Sequence, residues 1–300
     1  MSRSIGSPPP EATFPAMKIY ETIEEMRVAC RAARRGGQRL GFVPTMGALH
    51  EGHLSLIRAA GANCDVVAAS IFVNPTQFGP NEDLARYPRD FERDRDLLAK
   101  EGVGLLFAPS VEEMYPAGAV TWVTVEGLSG KLDGRSRPGH FRGVTTVVAK
   151  LFHIVEPDAA FFGQKDAAQL AIIRCMVRDL KFAVEIVAGA IVREADGLAM
   201  SSRNAYLDSA QRQQALVLHR ALLSVEKLWE AGEHDAAKLV AAGREEIAGE
   251  KPVRLDYFEI VDPDNLDPVK NLAGGALVAV AAFVGTTRLL DNILLPTLSA

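Results

Sequence analysis

Cysteine is scarce in this 300-residue chain. Cys30, Cys64 and Cys175 lie far apart, are odd in number and match no metal or redox spacing. A disulfide-stapled scaffold is excluded, and reduced, mostly buried thiols of a cytoplasmic protein are expected. No uncharged apolar run reaches the roughly 18 residues a membrane helix needs. The segment from Met1 to Phe14 has no apolar stretch of the signal-peptide kind and carries Pro8-Pro9-Pro10. It reads as a disordered tail, taken as residues 1–16. There is no basic excess either, with 33 Lys and Arg against 38 Asp and Glu, a net charge of −5. The densest basic run, Arg31, Arg34 and Arg35, suits a solvated helix end, so neither nucleic acid nor membrane is expected as a partner. A Walker loop and a Gly-x-Gly-x-x-Gly fingerprint are both missing, which disfavours a P-loop NTPase and a dinucleotide dehydrogenase.

What is present is an ordinary folded composition, 48% hydrophobic and 24% charged, on a chain long enough for about two domains. Met17 to Tyr20 reads as a short strand. Thr22 then caps a helix to about Ala33, with Glu25 as its capping-box partner. Apolar runs at Leu40–Val43, Val66–Val73, Gly104–Ala108, Ala159–Phe162 and Val184–Val187 read as buried strands. Helical stretches at 52–60, up to Lys100, at 143–154 and at 166–180 alternate with them. Alternation of this kind predicts an α/β fold, an open, mostly parallel sheet with helices on both faces. Ligands bind such sheets beyond the carboxyl ends of the strands. After Ser209 two alanine-rich helical stretches precede three strand-like runs, at 255–261, 276–283 and 287–294. That order predicts a smaller C-terminal α+β domain with an antiparallel sheet, the boundary falling near Ile191.

Unusual polar residues follow three of the strands. Pro44-Thr45-Met46-Gly47-Ala48-Leu49-His50-Glu51-Gly52-His53 sets two imidazoles at a helix start, where free N–H groups and the helix dipole favour an anion. Gly52 is expected to let a ligand approach the backbone, and phosphates would bias both histidines towards the charged form. A zinc site is weaker, since no third ligand lies nearby. Ile71 to Phe78 places Asn74 and Gln77 at a strand end, where an amide can bind a small polar substrate by donor and acceptor together. A proline-directed turn with exposed amides accounts for that segment equally well. In Gly163-Gln164-Lys165-Asp166-Ala167-Ala168-Gln169, Lys165 suits a phosphate and Asp166 a ribose hydroxyl, although a capped helix start explains the same residues. Met200-Ser201-Ser202-Arg203-Asn204 suits a triphosphate clamp but is weak alone.

Taken together, these segments resemble the pantoate–β-alanine ligase family of the His-x-Gly-His nucleotidyltransferase superfamily. The likeness runs from about Met17 to Asn292. It also includes Arg86-Tyr87-Pro88-Arg89, His140-Phe141-Arg142-Gly143-Val144, Arg193 to Leu207 and Gly285 to Asn292. The resemblance implies a Rossmann-like nucleotide- and pantoate-binding domain over residues 17–191 and a C-terminal lid domain over 192–300. It implies ATP-dependent condensation of pantoate with β-alanine through a pantoyl-adenylate, with release of AMP and pyrophosphate. ATP is expected against Pro44, Thr45 and Met46, with His50 and His53 on its phosphates. Gly163, Lys165 and Asp166 are expected to hold the nucleotide, and Val192, Met200, Ser201, Ser202 and Arg203 to close over it. His50, His53, Lys165 and Arg203 would be the catalytic groups. Gln77 and Gln169 are expected on pantoate, Asp94 at a magnesium site, and a homodimer as the assembly. Gly79 to Asp90, polar and flanked by glycine and proline, is the candidate gate. Ala167 and Ala168 depart from residues frequent in relatives, and Arg93 stands beside Asp94 where some relatives carry another acid.

Overall fold

The computed structural model describes residues 16–80 and 82–297. The expected N-terminal tail falls almost wholly on residues 1–15, outside the described residues. In chain order the elements begin β1 (Lys18–Tyr20), α1 (Ile23–Arg35), β2 (Leu40–Thr45), α2 (Glu51–Asn63), β3 (Val66–Ile71), α3 (Phe91–Lys100) and β4 (Leu105–Phe107). They continue α4 (Val111–Met114), α5 (Asp133–Ser136), α6 (His140–Val155), β5 (Ala159–Gly163), α7 (Ala167–Leu180) and β6 (Glu185–Gly189). The last third holds α8 (Ser209–Ala215), α9 (Val217–Glu230), α10 (Ala236–Gly249), β7 (Val253–Val261), β8 (Ala276–Val284) and β9 (Thr287–Leu295).

The first six strands form one parallel sheet in the order β1-β4-β3-β2-β5-β6. Adjacent side chains on a strand point to opposite faces, and the core divides accordingly. Phe42 and Phe162 enter the cluster under α1, α6 and α7, while Val43 and Phe161 enter the one with α2 and Leu98 of α3. Helices therefore cover both faces, and each strand can be apolar throughout. Thr22 caps α1 as the spacing predicts, with Glu25 completing the capping box. Cys30 and Cys175 are buried and Cys64 partly so, all three as free thiols. Strand order reverses between β2 and β5, which is where an open α/β sheet leaves a crevice for ligands.

The last three strands form an antiparallel sheet, β7-β8-β9. β8 is apolar on both faces. Val278, Val280 and Ala282 face the cluster made with α9 and α10. Leu277, Ala279 and Ala281 share the cluster that holds Phe42, Phe141 and Phe162. The small sheet is thus packed directly onto the large unit.

One helix start fixes a site loop by close packing. A Cβ on Gly143 of α6 would run into the Thr76 carbonyl and the Gln77 Cα. Gly143→Ala is expected to push the Asn74–Gln77 turn outward and to destabilise the protein by about 1–3 kcal/mol. Equilibrium unfolding in urea checks this, and an unchanged midpoint would show that the turn yields freely.

Candidate active site

A cavity of about 620 Å³ lies at the carboxyl ends of β2 and β5. β2 ends at Pro44-Thr45, and the Thr45 hydroxyl donates to the Ser70 carbonyl (2.6 Å) while accepting the Gly47 N–H (3.2 Å). Gly47 (φ 79°) and Ala48 (φ 51°) then turn the chain through the left-handed region. Asp94 of α3, 1% exposed, holds that turn: its carboxylate accepts the N–H groups of Ala48 (2.6 Å) and Leu49 (2.9 Å). Arg93 bridges the same spot, donating to the Leu49 carbonyl at 3.1 Å.

α2 starts immediately afterwards. The backbone N–H of His50 reaches Nδ1 of His53 at 3.4 Å, and the two rings lie 4.1 Å apart between centroids. Nδ1 of His50 is buried and has no hydrogen-bond partner among the described residues. Gly52 is required by His50 itself, since a Cβ there would meet the imidazole at 3.0 Å. Burial, then the nearby Lys165 charge, pushes the His50 pKa down to about 4. Burial, then His50, takes His53 down to about 3. Both rings are therefore neutral near pH 7, each carrying one N–H.

A second wall carries amides. Asn74, buried, donates to the Gln77 side-chain oxygen (3.1 Å) and to the Gly143 carbonyl (3.2 Å) and accepts from Tyr115 (2.9 Å). Gln77 is thereby oriented into the cavity, its nitrogen 2.9 Å from the Met46 sulfur. Behind it, His140 Nδ1 lies 2.8 Å from the Gln77 carbonyl, and Arg137 stands 3.0 Å from His140 Nε2. Donation from Nδ1 to that carbonyl leaves Nε2 to accept from Arg137. Burial, followed by Arg137, brings the His140 pKa to about 4.

The third wall joins the end of β5 to the segment that follows β6. Gly163 ends β5, and Lys165 and Asp166 occupy the short turn before α7, with 3.7 Å between Nζ and Oδ1. Opposite, Val192 and Met200 pair through a backbone bond of 3.0 Å, which closes a small hairpin. Ser202 donates to the Ala48 carbonyl at 3.0 Å, and Arg203 makes a two-pronged ion pair with Asp83 at 2.9 Å for each prong.

A family profile described as pantoate–β-alanine ligase matches residues 18–294. The chain is 61% identical to the pantothenate synthetase of Koribacter versatilis over 279 residues, 93% of this chain and 96% of that protein. The chain belongs to the pantoate–β-alanine ligase family. It is an enzyme that joins pantoate to β-alanine. Its fold matches the crystal structure of pantothenate synthetase from Thermus thermophilus, with a TM-score of 0.88 and 49% identity over 92% of this chain and 99% of that one. A pantoate–β-alanine ligase from Francisella tularensis, crystallised with β,γ ATP and β-alanine, matches with a TM-score of 0.76 and 34% identity, covering 93% and 98% of the two chains.

The cavity gathers Pro44, Thr45, Met46, His50, His53 and Gln77 from the first half of the sequence. From the second half it takes Gly163, Lys165, Asp166, Gln169, Val192, Met200 and Ser201 to Arg203. Asp94 is the exception and corrects an expectation. Both of its oxygens accept backbone N–H groups and it does not line the cavity, so it anchors the histidine loop instead of facing a metal. Before any phosphate arrives, burial keeps both imidazoles neutral; the expected bias towards the charged form concerns rings beside phosphates. Gly52 makes room for the His50 ring and itself borders the cavity. Sequence reasoning placed Glu82 and Asp83 in the candidate gate and His140 in a shared motif but gave none of them a role of its own. Glu82 and Asp83 precede Arg137 and Arg203 by 55 and 120 residues, and no local spacing signals such pairs.

Three neutral histidines make stability depend on pH. Their pKa values lie near 4, 3 and 4 in the fold and 6.5 when unperturbed. Between those limits the unfolded chain binds protons that the native state does not, so stability falls as pH drops below 6.5. The loss is at most about 1.4 kcal/mol per pH unit for each histidine. Denaturant unfolding from about pH 7 to pH 5, above most carboxylate titrations, is expected to show this decline. A flat profile there would refute neutral burial.

Proposed function

We infer that the cavity activates pantoate with ATP and then transfers the acyl group to β-alanine. The carrying observation is the convergence of His50, His53, Lys165 and Arg203 with the amides of Gln77 and Gln169 at one strand-end crevice. A carboxylate does not acylate an amine at neutral pH, because its oxygen leaves poorly. In this reading one pantoate carboxylate oxygen attacks the α-phosphorus of ATP in line, forming an O–P bond as the bond to pyrophosphate breaks. The β-alanine amine then attacks the acyl carbon, loses a proton, and AMP leaves. The Francisella relative's complex with an ATP species and β-alanine supports this pairing of ligands.

Each protein group has a defined task. Gln77, oriented by Asn74, and Gln169, on the first turn of α7, take the hydroxyls and carboxylate of pantoate. Pro44, Thr45, Met46 and Gly163 border the nucleoside, with Asp166 accepting from a ribose hydroxyl. Val192, Met200, Ser201 and Ser202 line the hairpin over it. His50 and His53 each donate one N–H to phosphate oxygens. A polyphosphate brought against them raises both pKa values and strengthens those bonds. Lys165 meets the oxygens as a point charge. Arg203 reaches the phosphates by exchanging Asp83 for them, and the segment containing Asp83 then acts as the gate. Catalysis is positioning plus charge stabilisation, without a protein nucleophile.

The described residues do not fit a protein-held magnesium. They contain no group of three or more His, Cys, Asp or Glu able to hold a metal ion, and Asp94 is committed to backbone N–H groups. Magnesium belongs in this reading on the phosphate oxygens of ATP, and no step is assigned to it. We divide the chain after Ile191, with the second unit closing over the nucleotide. A homodimer is supported by Val120, 82% exposed, and Trp122, 43% exposed, two residues apart on the segment between α4 and α5. No helix among the described residues is long and apolar enough to cross a membrane, and free thiols support a cytoplasmic location.

Two measurements test this reading. Labelled pyrophosphate is expected to exchange into ATP when pantoate is present and β-alanine is left out. Dependence of that exchange on β-alanine would rule out a separate adenylation step. His50→Ala and Lys165→Ala are each expected to slow adenylation by about 10² to 10³, the usual worth of one preorganised donor. Near-normal single-turnover adenylation in a folded variant would remove that residue from the role.

A further inference from the structure

β9 is an edge strand, hydrogen-bonded to β8 on one side only. It packs against the turn Gln164–Asp166 of the other unit. Asn292 makes that contact and is 2% exposed. Its amide nitrogen donates to the Gln164 carbonyl (3.1 Å) and to the Lys165 carbonyl (2.9 Å). Its oxygen accepts from the Gln164 side-chain nitrogen at 3.3 Å. The preceding residue, Asp291, is 3% exposed and grips Arg193 at 2.6 and 3.0 Å. Arg193 in turn donates to the Gly197 carbonyl at 3.1 Å. Two consecutive side chains of one strand thus fasten two loops, one bearing Lys165 and the other leading to Ser201–Arg203.

Burying a polar amide is costly unless its donors and acceptor are used. The β8–β9 ladder makes no demand on the Asn292 side chain. All three of its bonds go instead to two residues, one of them Lys165. We propose that Asn292 is a positioning residue for Lys165. It fixes the backbone carbonyls on either side of the Lys165 Cα, so that the ammonium swings from a held base and stays within reach of the triphosphate. Loose placement of a charge-stabilising group is costly because catalysis depends on preorganisation. The proposal rests on the reading of Lys165 as a phosphate ligand, and its test separates the two.

Asn292→Asp keeps the shape and replaces the donating NH₂ with an oxygen that faces two carbonyls. Binding of AMP-PNP to the full-length protein is measured by calorimetry in the parent, Asn292→Asp, Lys165→Ala and the double variant, with a thermal midpoint for each. Asn292→Asp is expected to weaken binding roughly tenfold or more. In the Lys165→Ala background the same change is expected to cost less than about twofold, because groups that act as a unit are not additive. Parent-like binding by Asn292→Asp overturns the proposal. So does an equal loss in both backgrounds, which is the mark of a merely structural role. If Lys165→Ala itself binds like the parent, the reading of Lys165 fails instead. Should Asn292→Asp not fold, Asn292→Ala takes its place in the same cycle. That variant removes both donors without adding repulsion, and the same outcomes decide.

Discussion

The hydrogen bonds from Ala48 and Leu49 to the Asp94 carboxylate hold the turn on which the rest of the cavity is built. A left-handed conformation costs a non-glycine residue about 1–2 kcal/mol, and Ala48 adopts one directly after Gly47. A buried carboxylate in turn needs donors. Each requirement meets the other: the strained turn points two N–H groups at Asp94, and Asp94 finds them with Arg93 alongside. The chain then enters α2 at an angle that sends both imidazoles into the crevice. Ser202, far along the chain beyond β6, docks on the Ala48 carbonyl, so the same turn also seats the opposing loop.

Around this frame the charges are already balanced. Arg203 holds Asp83, Arg137 holds Glu82, Arg193 holds Asp291, and Arg288 holds both Asp133 and Asp256. Two-pronged arginine–carboxylate pairs set orientation as well as energy. Adjacent carboxylates, Glu82 and Asp83, therefore keep two guanidinium groups aligned on one side of the cavity. Lys165 has a looser contact, 3.7 Å to Asp166. Burial, and after it the Lys165 charge, lowers the pKa of His50 and keeps that ring neutral; its buried Nδ1 has no partner among the described residues. The result is a pocket whose cations are arranged before an anion arrives.

Much of this was legible in the sequence. Strand and helix order followed from periodicity, the small sheet from the three late apolar runs, and the cavity lining from polar residues placed just after strands. The failures have physical causes. Pro44 reads as the end of β2, yet the strand continues through Thr45 in register with Ser70 and Ile71 of β3. Proline is tolerated there because β5 pairs with β2 only at Gly41 and Phe42, so its missing N–H breaks no ladder on that side. The resemblance sets Asp94 at a metal site, and an acid on a helix carries no sign of which groups it faces; its partners lie 45 and 46 residues earlier. That the imidazoles are neutral before a ligand arrives follows from their burial, which a motif does not encode.

β8 shows how a local pattern can mislead about architecture while reporting burial correctly. Its run of nine apolar residues has the character of a strand covered on both faces, a habit of parallel sheets. Here the sheet is antiparallel, and the second cover is the large unit itself. That docking leaves β9 as an edge lying against the Gln164–Asp166 turn. Edges carry unpaired backbone groups and must be covered or blunted. Covering this one with a turn calls for side chains that can meet loop carbonyls and an arginine, and Asp291 and Asn292 stand there between apolar neighbours. The polarity of that dipeptide is therefore a consequence of building one cavity from two units: where the sheets meet, apolar packing gives way to hydrogen bonds that have direction.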